Sequence, residues 1–98
     1  MTAQQFEWDP RKAAQNFTKH GVSFAEARTV FEDVEALILP DPDHADEEER
    51  FILLGLSGAL RVLVVIHCER GGGAVIRLIP ARKADRQERE VYAERRVP

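Results

Sequence analysis

The second half of the chain holds three apolar runs rich in β-branched residues, separated only by short turns. The runs are Phe51–Leu56, Leu60–Cys68 and Ala74–Ala81, with Ser57-Gly58-Ala59 and Glu69–Gly73 between them. Glycine-bearing breaks of this length join antiparallel strands, whereas a parallel pair needs a long crossover. The pattern therefore predicts a three-stranded meander. The middle run is almost continuously apolar, broken by Arg61 and His67, which predicts a central place in the sheet.

The first half reads as helices. Phe6 and Trp8 alternate with polar neighbours as in a short strand. Asp9-Pro10 then opens a helix, the aspartate capping free amides and the proline fitting the first turn. Ala13, Ala14 and Phe17 form its expected apolar stripe, and His20-Gly21 closes it. Ser23-Phe24-Ala25-Glu26 is a capping box, followed by Phe24, Ala27, Val30, Phe31 and Val34 at helical spacing. Leu37-Ile38-Leu39 reads as a short strand ended by Pro40. At the far end, Asp85 and Glu88 form a second capping box, which opens a final helix reaching about Arg96 with a thin stripe of Ala84, Val91 and Tyr92. The expectation is one α+β domain over residues 1–98, with two N-terminal helices packed on an antiparallel sheet of about four to five strands and a C-terminal helix after it.

Charge is divided unevenly. Residues 1–49 carry 4 basic and 12 acidic side chains, and residues 50–98 carry 10 basic and 5 acidic, giving −8 and +5 within a total of −3. Every basic residue of the second half is arginine except Lys83. Guanidinium forks match phosphate oxygens in a bidentate way that lysine does not, and binding depends on the local patch rather than the total. The competing reading is that the two halves simply attract each other. Asp43–Glu49, with five acids in seven residues, lacks the positional pattern and the glycine of a calcium loop and reads as an exposed acidic loop.

Several classes find no support. The longest apolar run, Leu60–Cys68, is too short to span a bilayer. No signal-peptide pattern is visible, and the single Cys68 leaves no internal disulfide, as expected in a reducing cytoplasm. His20, His44 and His67 show no metal-ligand spacing, and no cofactor is expected. The helical hairpin around Gly21 does not read as a DNA-binding helix pair, because its second helix offers only Arg28 against Glu26, Glu32 and Asp33. Neither a phosphate-cradling glycine loop nor a serine–histidine–acid pattern stands out.

Cleavage of RNA is one chemistry that an arginine-rich strand surface can support. Cleavage without a metal needs a base near the 2′-hydroxyl, cations for the charge gathering on phosphorus, and an acid for the leaving oxygen. Arginines suit the second role, and His67 or Glu69 the first or third. Alternation places Arg61, Leu63, Val65 and His67 on one face of the middle strand, with Arg61 and His67 about 20 Å apart. Val62, Val64, Ile66 and Cys68 form the other, fully apolar face, which is expected to meet the helices. On the next strand Arg77 goes with Val75 and Ile79, and Arg82 with Ile76 and Leu78, so the two arginines fall on opposite faces. The structural alternatives are a core histidine and arginines paired with acids.

The chain also resembles a known family. Phe6-Glu7-Trp8-Asp9-Pro10, Lys12-Ala13, Asn16, Lys19-His20-Gly21-Val22-Ser23-Phe24, Glu26-Ala27 and Val30-Phe31 carry the resemblance in the first half. Glu49-Arg50, Gly55, Val64-Val65, Glu69-Arg70, Ile76-Arg77, Ala81-Arg82-Lys83-Ala84, Glu88-Arg89 and Tyr92 carry it in the second. In this order they are similar to the BrnT-type toxins of bacterial type II toxin–antitoxin systems. The resemblance implies a RelE-like ribonuclease fold, metal-free RNA cleavage that stops translation, and neutralisation by a cognate antitoxin. DNA would be met only through that antitoxin, and no membrane is involved. The family usually has serine before Ala-Arg-Lys-Ala, where this chain has Pro80. The expected phosphate-binding set is Arg61, Arg70, Arg77, Arg82 and Lys83, with His67 and Glu69 as acid–base candidates. These roles are inferred from residue chemistry, while the resemblance supplies the positions. The alternative is an inactive relative that serves as a protein-binding module in a repressor complex, a reading favoured by Pro80 and by the net acidity.

Overall fold

A computed structural model describes residues 4–41 and 50–96. The expected acidic loop at 43–49 lies outside the described residues. The elements run β1 (Gln5–Glu7), α1 (Pro10–His20), α2 (Phe24–Thr29), a 3-10 turn (Val30–Glu32), β2 (Leu37–Pro40), β3 (Arg50–Leu56), β4 (Val62–Arg70), a 3-10 turn (Gly71–Gly73), β5 (Val75–Lys83) and α3 (Arg86–Arg96). The fold is α+β, and the strand order is β1-β5-β4-β3-β2.

The meander β3–β4–β5 is antiparallel as expected, and β2 adds to it antiparallel. The edge strand β1 differs, pairing parallel with β5 through Gln5–Val75, Phe6–Ile76 and Glu7–Arg77. The sheet is therefore mixed rather than wholly antiparallel. α1, α2 and the strands after them intervene between β1 and β5, which supplies the long connection that parallel pairing requires.

Both faces of the sheet are covered, unequally. On one face α1 and α2 bury Val22, Phe24, Ala27 and Val30 against Leu53, Leu63, Val65, Ile76, Leu78 and Ala81. On the other, α3 places Tyr92 over Leu54, Val64 and Ala84, flanked by Leu37, Ile52, Leu56 and Val62. The helical hairpin thus meets the Leu63/Val65/His67 face of β4, the reverse of the expected assignment. Cover on both sides also explains the continuous apolarity of β4.

The expected caps form. Asp9 Oδ1 accepts from Arg11 N at 2.8 Å, and Gly21 ends α1 with φ of 70°. Ser23 Oγ accepts from Glu26 N at 3.0 Å, but the return half of that box is absent because the Glu26 carboxylate serves Arg61 and Ser57. Asp85 and Glu88 cap reciprocally at 2.9 and 2.8 Å. Two stripe residues depart from expectation. Phe17 is 58% exposed, and Val34 is 91% exposed because α2 stops at Thr29. The residue of α1 that is buried is Asn16. Its Nδ2 donates to Val22 O at 2.9 Å and to Ala81 O at 2.8 Å, while its Oδ1 accepts from Ala81 N at 3.0 Å. One amide thus serves both main-chain groups of Ala81, on a stretch of β5 beyond its last pair with β1.

A bulge shapes β5. Val65 pairs with Ala81 and His67 with Leu78, so β5 carries one extra residue there. Pro80 lies in the bulge, a position that needs no ladder donor. The extra residue shifts the alternation: Ile76 and Leu78 face the helical hairpin before the bulge, and Ala81 does so after it.

Candidate nucleic-acid interface

The β5 bulge decides where the arginines point. Arg77 sits between core residues Ile76 and Leu78, and Arg82 follows core residue Ala81. Both therefore project on the α3 face, whereas unbroken alternation would have separated them. Arg70 joins them, since its neighbour Glu69 pairs with the hairpin-side Ile76. Arg50 does so too, because it pairs with Cys68 while the adjacent Phe51 pairs with His67.

A rung crosses the sheet on this face: Glu7, Arg77, Cys68, Arg50. Asp41 extends it, donating its N–H to Arg50 O at 2.9 Å. Cys68 is buried between the two arginines of the rung, and Arg70 stands two residues further along β4. Strand spacing puts the Arg77 and Arg50 backbones about 10 Å apart. α3 covers the other half of the face, where the apolar residues lie.

These guanidiniums do not form a bare cationic pocket. Arg77 Nη1 meets Glu7 Oε2 at 2.8 Å. Arg82 is held in a fork by Glu88, with Nη1–Oε1 at 2.8 Å and Nη2–Oε2 at 2.9 Å. The Arg82 fork holds the Glu88 carboxyl below the usual carboxylate range, and Glu88 in turn raises the Arg82 guanidinium. Both pairs are partly exposed, with 30% and 40% of the Arg77 and Glu7 side chains and 44% and 29% of the Arg82 and Glu88 side chains accessible. Exposed pairs contribute little to stability, so another anion can exchange for the carboxylate at small cost.

The other expected site residues stand elsewhere. Arg61 lies on the hairpin face at the opposite end of the sheet. It forks onto Glu26, with Nε–Oε2 at 2.9 Å and a second contact from Nη2 to Oε1, and donates to Gly21 O at 3.1 Å. That pair lowers the Glu26 carboxyl and ties α2 to the β3–β4 turn. His67 is fully buried, with ring centroids 4.8 Å from Phe31 and 5.9 Å from Phe51. Neither imidazole nitrogen has a hydrogen-bond partner among the described residues, and burial pushes its pKa down. A neutral ring sealed in the core cannot exchange protons with a substrate. Glu69 pairs with Ile76 and Lys83 with Leu63, which assigns both to the hairpin side. Of the seven expected residues, Arg70, Arg77 and Arg82 share the open face. Glu7 and Arg50 join them unanticipated. Their signal was alternation beside Phe6 and Phe51, unreadable without the register.

Fold and sheet face together define a small α+β protein with an arginine–carboxylate surface beside a C-terminal helix. The chain matches the profile of the ribonuclease toxin, BrnT, of type II toxin–antitoxin systems over residues 8–88, and it belongs to that family. The crystal structure of the Brucella abortus ribonuclease toxin BrnT is similar, with 26% sequence identity and a TM-score of 0.66, covering 86% of this chain and 100% of that one. No curated protein matches the chain.

Proposed function

We propose that this chain is a metal-independent endoribonuclease that stops translation in the cytoplasm and is neutralised by a cognate DNA-binding antitoxin. Family membership supports the ribonuclease class. The observation that carries the site is the β5 bulge at Pro80, which aligns Arg77 and Arg82 with Arg70 and Arg50 on one face. The RNA backbone lies across that face. Phosphates along the strand take the place of Glu7 on Arg77 and of Glu88 on Arg82, since a phosphate oxygen and a carboxylate oxygen are exchanged at an exposed guanidinium at small cost. With His67 sealed away, Glu7 is the carboxylate beside Arg77 that receives the 2′-hydroxyl proton as the 2′-oxygen bonds to phosphorus, and water at this open face protonates the 5′-oxygen as its bond to phosphorus breaks. DNA is reached only through the antitoxin.

A second reading has its own support. Arg77 and Arg82 already hold intramolecular carboxylates, as they would in an inactive relative retained to bind an antitoxin. Incubating the purified protein with total RNA, with and without EDTA, separates the two. Cleavage unaffected by EDTA is the expected result; intact RNA in both arms favours the binding module.

A further inference from the structure

A second surface lies around the edge of β1. A groove of about 440 Å³ runs between β1 and α2, on the side opposite the arginine face. Its walls include Phe6, Phe31, Arg28, Glu32 and Gln4. The volume lies within the range of small-molecule sites. Phe6 and Phe31 pack edge to face with centroids 5.0 Å apart and form an aromatic floor. The Arg28 guanidinium stands 5.0 Å over the Phe6 ring. Among the described residues, neither Arg28 nor Glu32 has an ion-pair partner, although both line the groove. An aromatic floor, a guanidinium plane and an unused carboxylate make a lining that an aliphatic side chain would not use.

An unpaired nucleobase uses all three. Single-stranded bases stack on aromatic rings and on arginine planes, and they are read along their Watson–Crick edges. Guanine alone among the four common bases offers two adjacent donors on that edge, N1–H and the N2 amino group, to a carboxylate. From this we infer that the groove takes an unpaired guanine of the RNA, stacked on Arg28 with its Watson–Crick edge on Glu32. The inference rests on the ribonuclease reading for its biological ligand, though not for its chemistry. Continuity supports it: β1 is an edge strand of three residues, and Phe6 and the adjacent Glu7 point to its two sides. A strand held by its backbone at Glu7 and Arg77 needs only to turn around β1 to place a base in the groove.

The test is NMR titration of the ¹⁵N-labelled full chain with GMP, AMP, CMP and UMP, alongside the total-RNA assay. GMP is expected to shift the amides of Phe6, Arg28 and Glu32 at concentrations about tenfold below the other nucleotides. Glu32→Gln should abolish that preference while leaving the spectrum folded. Equal shifts with all four nucleotides, no shift in the groove, or shifts there only on adding the antitoxin would overturn the inference. Cleavage of RNA without a GMP preference removes the guanine subsite and leaves the ribonuclease reading standing. A GMP preference without cleavage supports the subsite and removes the ribonuclease reading.

Discussion

Asn16 and His67 are the two polar side chains whose burial says most about this chain. Asn16 makes three hydrogen bonds to the main chain, two of them to Ala81 just after the β5 bulge. Asn16→Ala leaves those groups without partners and should destabilise the fold by about 2–3 kcal/mol in urea unfolding. His67 has the opposite character, a buried ring packed against Phe31 and Phe51. In the unfolded chain it takes a proton near its ordinary value of about 6.5. In the folded chain burial delays protonation to lower pH. The unfolded state therefore binds more protons in that window, and stability falls as pH drops below about 6.5. His67→Phe should flatten this part of the stability–pH profile and leave RNA cleavage intact. The lowered Glu26 and Glu88 carboxyls act in the same direction further into acid, because their ion pairs are lost on protonation. For catalysis, Arg70→Ala or Arg82→Ala should relieve growth arrest on expression while the protein stays folded.

α3 is the element whose attachment the sequence described least well. Its apolar stripe is thin, yet the structure anchors it through a carboxylate. Asp33 Oδ2 accepts from Tyr92 Oη at 2.5 Å and from Leu56 N at 2.8 Å, which links α3 to the end of β3. Gly55 is required beside that junction, since a Cβ there would come within 2.8 Å of Ala36 Cβ. Tyr92→Phe should cost about 1–2 kcal/mol, read as earlier thermal unfolding. The helix caps, the β3–β4–β5 order and the extent of α3 were legible because local chemistry sets them. The two faces of β4 were not: both are apolar at its centre, since both are covered, so apolarity could not choose between them. The alternation along β5 also misled, because one extra residue reverses it and Pro80 is its only visible mark. The parallel pairing of β1 joins residues 70 positions apart, exemplified by Glu7 and Arg77, and no local pattern encodes it.

At the scale of the whole molecule, the −8 and +5 halves meet, among the described residues, in the pairs Glu7 with Arg77 and Glu26 with Arg61. Among the described residues, the arginines of the second half do not gather into one pocket: Arg61 forms a pair on the hairpin side, Arg50, Arg70, Arg77 and Arg82 share the sheet face beside α3, and the rest lie on α3 itself. The most direct test compares two folded variants in the EDTA-containing RNA assay. If the bulge-aligned face is the RNA surface, the Arg77→Ala/Arg82→Ala double variant loses cleavage and His67→Phe retains it. Cleavage by the double variant together with its loss in His67→Phe would contradict the account.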